Sequence, residues 1–267
     1  MIELHHSGRA RVSTLFRVSV LGSFDFCLRD GTRPPLSGGS QRLLAFLALR
    51  GRAIARESVA GTLWPEASEH HAGSSLRSAI ARLGVQSRAA IQVSAMDLSL
   101  APGVAVDLVD SRRLASRLVD PQQDCDEAEL GAAAVAALSL DVLPDWYEDW
   151  VVAESEGWHQ LRLHALELLT TRLVDLGRFA DAIGAALTAV HAEPLRESAR
   201  RALIRIHLAE GNQSEVHREY ERFRALLRAE LGVEPTSLLT DLVYGRYRSF
   251  IAIGPAVTEP SRNGRTQ

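Results

Sequence analysis

The chain has 267 residues, 46% hydrophobic and 24% charged, with a formal net charge of −3. This suits a globular protein with room for two modest domains. No apolar run approaches the ~20 residues that span a bilayer, and the opening Met1–Ala10 lacks the apolar stretch of a secretory leader. A soluble, cytoplasmic protein is therefore expected. All 30 of the Lys+Arg residues are Arg. Residues 1–105 carry 12 Arg against 7 acids, a balance of +5, whereas residues 106–267 carry 18 Arg against 26 acids, a balance of −8. A basic first part on an acidic remainder suits a nucleic-acid reader joined to a protein-binding module.

Taken in chain order, Phe16–Leu28 alternates apolar and polar residues on either side of Gly22-Ser23, the pattern of a β-hairpin. A helix follows through Leu43, Leu44, Phe46 and Leu47, with Ser40 as its expected N-cap and Gly51 as its stop. A second helix is expected from Ser58 to Trp64, ended by Pro65, and a third from Ser68 or Glu69 to Leu83, closed by Gly84. Two short alternating runs, Ala90–Val93 and Asp97–Leu100, then flank Ser94–Met96, and Val104–Asp107 follows a Pro-Gly turn. Hairpin, three helices and a second hairpin make the order of a winged helix, expected over 14–106.

From Asp107 onward the pattern is helical, with segments expected at 107–119, 124–138, 145–176, 178–192, 195–210, 212–231 and 236–247. Gly177 and Gly211 stand 34 residues apart, and at that offset Leu169 matches Leu203 and Val174 matches Leu208. A 34-residue helix–turn–helix period is the tetratricopeptide signature. The register has mismatches, with His207 opposite Leu173 and Glu221 opposite Leu187. The fold class is therefore mainly α: a winged helix-turn-helix with small β-hairpins, then an all-α tetratricopeptide-like domain over 107–250. The Gly/Pro-containing tail, 251–267, is expected to be disordered.

At these positions the chain resembles the Streptomyces antibiotic regulatory protein family, transcriptional activators in which a winged helix precedes a bacterial transcriptional activator domain. Leu143-Pro144-Asp145-Trp146-Tyr147-Glu148-Asp149-Trp150 is similar to the opening of that second domain. Ala192–Ser198 and Leu208–Asn212 resemble its joints, and Tyr220–Phe223 with Leu231–Pro235 its end. In the first half the similar features are Val20–Gly22, Arg42–Leu47, Leu63–Glu66 and Ser75–Leu83. One departure is that the basic residues which usually follow the third helix are replaced by a turn at Gly84. The resemblance implies an activator of secondary-metabolite genes that binds promoter direct repeats in pairs, as a homodimer on double-stranded DNA, and recruits RNA polymerase. Larger members of that family carry a nucleotide-hydrolysing domain, which is not expected within these 267 residues.

On the third helix, Ala72, Leu76, Ala79, Ile80 and Leu83 share an apolar face. The opposite arc carries His71, Ser74, Ser78, Ala81 and Arg82, with Arg77 at its edge. Small residues beside Arg let a helix lie close in the major groove while guanidinium groups reach guanine edges or phosphates. Which arginine reads a base stays open. Gln41 and Arg42, near the start of the first helix, are candidate phosphate contacts, as are Arg56, Arg88 and the wing at Ser94–Met96; an ordinary surface role competes for each. The link Trp64-Pro65-Glu66-Ala67-Ser68 is a candidate polymerase contact, although Trp64 itself suits the core. Trp146, Tyr147, Trp150 and Trp158 suggest a ligand cage, but their spacing fits one helix face packed on its neighbour.

Cys27 and Cys125 read as free thiols, and the histidines at 159, 164, 191, 207 and 217 show no tight metal-ligand spacing. Nucleotide-binding and hydrolase motifs are missing, and Gly38-Gly39-Ser40-Gln41 lacks the Lys of a phosphate loop. No enzyme, no metal and no cofactor are therefore expected. The competing function is a tetratricopeptide-like adaptor whose degenerate winged helix binds protein instead of DNA.

Overall fold

The computed structural model describes residues 15–120, 122–123, 125–126 and 130–251. By packing they form two compact units that divide at Leu169/Thr170. The change from mixed to helical sequence, at 106/107, therefore does not coincide with the edge of a compact unit.

The first unit opens with strands β1 (Phe16–Ser19) and β2 (Asp25–Leu28), paired antiparallel with Val18 opposite Phe26. Strand β6 (Val104–Val106) adds to β1 in parallel, Val18 opposite Val106, so the sheet runs β2-β1-β6. Parallel pairing requires a long crossover, and the whole winged-helix core supplies it. Helix α1 (Gly38–Arg50) is buried without interruption from Leu43 to Leu49. Its N-cap is Ser37 rather than the expected Ser40: the Ser37 hydroxyl accepts from Ser40 N, and Ser40 lies inside the first turn. Gly51 ends the helix with a left-handed φ of 61°, as expected.

Strand β3 (Ile54–Ala55), helix α2 (Arg56–Leu63), helix α3 (Glu69–Ala81) and the single turn α4 (Gly84–Arg88) follow. Strands β4 (Ile91–Val93) and β5 (Asp97–Leu100) form the second hairpin, with β3 on its far side in the order β3-β5-β4. Helix α3 stops short of the expected Leu83, because Arg82 is already its cap and Gly84 turns the chain at φ 70°.

Helix α5 (Asp107–Val119) begins directly where β6 ends. The Asp107 carboxylate accepts from the amides of Val20 at 2.9 Å and Leu21 at 3.2 Å, tying α5 to the first hairpin. Helix α6 (Ala132–Leu138) is shorter than the helix expected at 124–138: residues 125, 126, 130 and 131 are described and not helical, and Gly131 is its cap. The segment after it docks on the same hairpin: Leu21 bridges Val142, Gly22 N donates to Asp141 O at 2.8 Å, and Leu143 N donates to Val20 O at 3.0 Å. Arg162, 1% exposed, bonds Asp141 through Nε at 2.9 Å. Helix α7 (Asp149–Asp175) starts later than the expected 145. Trp146 and Tyr147 thus precede it, and the four aromatic residues do not share one helix face. Trp158 is fully buried with its indole N–H on Leu140 O at 2.8 Å, Trp150 is 6% exposed, and Tyr147 is 85% exposed.

The second unit contains helices α8 (Phe179–Ala192), α9 (Glu197–Ala209), α10 (Gln213–Leu231) and α11 (Ser237–Ile251). The repeat turns obey the 34-residue period atom for atom. Gly177 and Gly211 adopt φ of 71° and 77°, and Arg178 N and Asn212 N donate to Leu173 O and His207 O, both at 2.8 Å. The mismatch of Leu173 with His207 leaves the turn itself intact, since what the turn uses is the carbonyl. The terminal helices pack around Ile204, Val216, Tyr220, Phe223, Leu227, Leu239 and Val243. Glu219, only 7% exposed, bonds Arg200 at 2.6 Å and Arg222 at 2.8 Å. The segment expected to be a disordered tail lies, from residue 252, outside the described residues.

Candidate nucleic-acid interface

Helices α2 and α3 pack on each other as a helix-turn-helix, and α3 presents a face to solvent because its other face is taken. Ala72, Leu76 and Ala79 are buried, and Ser40 Oγ donates to the Ala79 carbonyl at 2.8 Å, fixing α3 against α1. The crossing is close: a Cβ on Gly39 would lie 3.5 Å from the Ala79 Cβ and 3.8 Å from the Trp64 ring. Ser68 caps α3, accepting from His71 N, and its Oγ is 3.0 Å from His71 Nδ1. Outward lie His71, Arg77, Ser78, Ala81 and Arg82, all exposed, with Ser74 half-buried, and Glu69 and His70 are exposed in the first turn. Apart from those last two, this is the arc the helical periodicity predicts.

The candidate arginines separate into two kinds. Arg56, Arg77, Arg82 and Arg88 form no ion pair among the described residues; Arg56 and Arg88 only approach carbonyls, Ser94 O and Ile91 O, both at 3.4 Å. Arg56 N also donates to Met96 O at 2.8 Å, so the start of α2 is joined to the wing. The wing tip is tied by its own hydrogen bonds. Ser94 Oγ accepts from Met96 N at 3.2 Å and Asp97 N at 2.8 Å. It carries no Arg and ends on Asp97, with Met96 75% exposed. Arg42 is different: its Nε sits 3.1 Å from Glu148 Oε1, so its charge is neutralised within the chain. Gln41 is half-buried and donates to Leu36 O at 3.2 Å. The other arginine of α1, Arg50, pairs with Glu154 at 3.3 Å, which also takes Arg112 at 2.9 Å.

In the candidate polymerase link, Pro65, Glu66 and Ser68 are exposed and Trp64 is half-buried against the start of α1. No group of three or more His, Cys, Asp or Glu residues able to hold a metal occurs among the described residues, and no helix there is long and apolar enough to cross a membrane. Sequence reasoning missed Glu148 and Glu154 as partners of α1, because nothing local signals an ion pair 104 residues apart. It also missed Val85 on α4, 93% exposed three residues after Arg82; Gly84 turning the chain was the only hint.

Fold and surface together define a winged-helix protein with an attached tetratricopeptide-like repeat. Residues 103–244 match the model of the bacterial transcriptional activator domain, and the chain belongs to that family, the Streptomyces antibiotic regulatory protein type of transcriptional regulator. It is 29% identical over 259 residues to the regulatory protein AfsR of Streptomyces coelicolor, covering 93% of this chain and 25% of the relative. AfsR of Streptomyces griseus is 31% identical over 173 residues, 63% of this chain and 16% of the relative. The chain thus spans a quarter or less of the length of these two relatives. Among solved structures, Mycobacterium tuberculosis EmbR in complex with a low-affinity phosphopeptide has the same fold, with a TM-score of 0.64 and 21% identity over 88% of this chain and 65% of that one.

Proposed function

We propose that the chain is a sequence-specific, double-stranded DNA-binding transcriptional activator of the cytoplasm that recruits RNA polymerase at secondary-metabolite promoters. The observation that carries this reading is the solvent face of α3, where Arg77 and Arg82, beside Ser78, pair with no carboxylate among the described residues, on a helix anchored from behind. A winged helix lays such a face in the major groove, where guanidinium groups reach guanine O6 and N7 or the phosphates. Ser74 lets the groove wall approach. Arg56 beside the wing and Arg88 after α4 flank the same face and supply phosphate contacts, as does the Gln41 amide. Two copies occupy a direct repeat, and Pro65, Glu66 and Ser68, with Trp64 behind them, form the polymerase-facing edge. The proposed chemistry is binding alone, without a catalytic group, a metal or a cofactor.

A second reading, a repeat adaptor whose winged helix binds protein, draws on the wing without a basic residue and the early end of α3. A footprint on the neighbouring promoter, followed by run-off transcription with purified polymerase, separates the two. Protection of a direct repeat with stimulated transcription supports the activator. Absence of protection at low salt refutes it and favours the adaptor.

A further inference from the structure

The basic surface of the winged helix is partly switched off by acids that arrive from much later in the chain. Arg42 and Arg50 are the arginines of α1, and both face carboxylates at the start of α7: Glu148 at 3.1 Å and Glu154 at 3.3 Å. The two pairs are unequal. Glu154 is shared with Arg112 at 2.9 Å, which makes it a three-way structural joint. Glu148 holds Arg42 alone, and the contact is loose. The Arg42 Nε is buried and close to the carboxylate, yet it makes no aligned hydrogen bond. Both side chains keep 30% of their exposure. A cleft of about 580 Å³ opens between Gln41, Arg42 and the segment Asp145–Glu148, so the ion pair sits on the wall of a space that solvent fills.

Arg42 is also well placed for DNA. One turn ahead of it in α1, Gly39 lies against Ala79, the neighbour of Ser78 on the proposed reading face of α3: a Cβ added there would be 3.5 Å from the Ala79 Cβ. A guanidinium here lies beside the groove that α3 enters, and a half-exposed ion pair is a weak one, worth about 0–1 kcal/mol.

We infer that Glu148 is a built-in competitor for a DNA phosphate: it clips Arg42 to the start of α7 and holds the protein below its attainable DNA affinity. This rests on the proposed DNA-binding function and adds its regulation. Any event that draws the Asp145–Glu148 segment off α1 frees one more cation for the backbone and tightens binding, without a change in the bases read.

The test is a double-mutant cycle in the full chain, by gel shift on the neighbouring promoter across a salt series. One added phosphate contact steepens the slope of log affinity against log salt by about 0.9, and at ~0.15 M salt that amounts to about fivefold tighter binding. E148Q is expected to show both changes, R42A to bind as wild type does, and E148Q/R42A to return to the wild-type value. D149N changes the net charge equally at the neighbouring exposed position, and its gain should fall well short of that of E148Q. The clip is overturned if E148Q, with an unchanged circular dichroism spectrum, binds no tighter than D149N. It is overturned too if R42A weakens binding about fivefold and flattens the slope by about one, for Arg42 would then already be on the DNA. Should E148Q not fold, Glu148→Ala takes its place, with the same gain expected and the same comparison with D149N. Failure of the wild type to bind at any salt refutes the DNA-binding reading itself and the clip with it, an outcome distinct from the others.

Discussion

Cutting the chain after Val106, at the end of the winged-helix sequence, should cripple the fragment, whereas cutting after Leu169 should not. The shorter cut removes Trp150, 6% exposed and edge-on to Phe46 at 5.3 Å between ring centroids, and Trp146, 6.0 Å from Phe24. It also removes the Asp107 carboxylate from the Val20 and Leu21 amides and the Val142 bridge from Leu21. An aromatic side chain buries about 150–250 Å²; at about 25 cal/mol per Å², Trp150 alone is worth ~4–6 kcal/mol. A domain of this size has a total stability of about 5–15 kcal/mol. The 1–106 fragment should therefore melt at low urea, expose Phe46, and show weak or no promoter binding. The 1–169 fragment should unfold cooperatively and bind a single half-site. Urea titrations of the two by tryptophan-independent circular dichroism, with gel shifts on the same preparations, provide the comparison. Equal midpoints for the two fragments would refute the argument that residues 107–169 complete the winged-helix core.

Replacing Arg77 and Arg82 together by Ala should leave the melting temperature nearly unchanged, since exposed substitutions cost within about 0.5 kcal/mol. If both contact phosphates, the salt slope should flatten by about two units, while a lost base contact should relax specificity by roughly 1–3 kcal/mol in competition gel shifts. Leu203, 2% exposed, lies in the second repeat, and Leu203→Ala should cost roughly 2–5 kcal/mol of the second unit's stability in urea titrations. That mutant should still footprint the promoter yet fail to stimulate polymerase; full stimulation with that unit unfolded would move all activation onto the winged helix. Hydrogen bonds from Arg224 first, then Arg228, hold the exposed Glu234 carboxyl below its usual range. A lowered native value stabilises the fold above the unfolded-state value and is lost as pH falls through the native one. The melting-temperature gap between wild type and Glu234→Gln should therefore narrow as pH falls from neutral through and below the ordinary carboxylate range; a gap independent of pH contradicts this.

Much of the architecture was written locally. Apolar alternation marked β1 and β2, and periodicity marked the buried face of α3. Gly177 and Gly211 marked two turns that the structure builds with the same hydrogen bonds. The errors were local too. Ser37 and Ser40 are equally good caps by type, and only the packing of Ser40 Oγ on Ala79 O decides between them. Helix α3 was read through to Leu83 because Leu83 continues the apolar stripe, and it is indeed buried, though beyond the helix end. Illegible in the sequence were the features made by distant residues: the parallel pairing of β1 with β6, and the docking of Asp141–Leu143 on the first hairpin. The neutralisation of Arg42 belongs with them. It matters most for the site, since identical arginines on α1 and α3 read alike in sequence and only three-dimensional proximity to Glu148 tells them apart.

The most direct test of the DNA-binding account is the salt dependence of affinity for the neighbouring promoter against a scrambled duplex of equal length. Arg56, Arg77, Arg82 and Arg88 are the candidate arginines without an ion pair. If all four contact phosphates, the log–log slope should be about −3.6 per bound protomer, from about −0.9 for each phosphate neutralised. The account predicts a slope near that value, or about one unit shallower for each arginine that reads a base, together with a preference for the promoter of at least about a thousandfold. A slope near zero, or equal affinity for the two duplexes at every salt concentration, would contradict it.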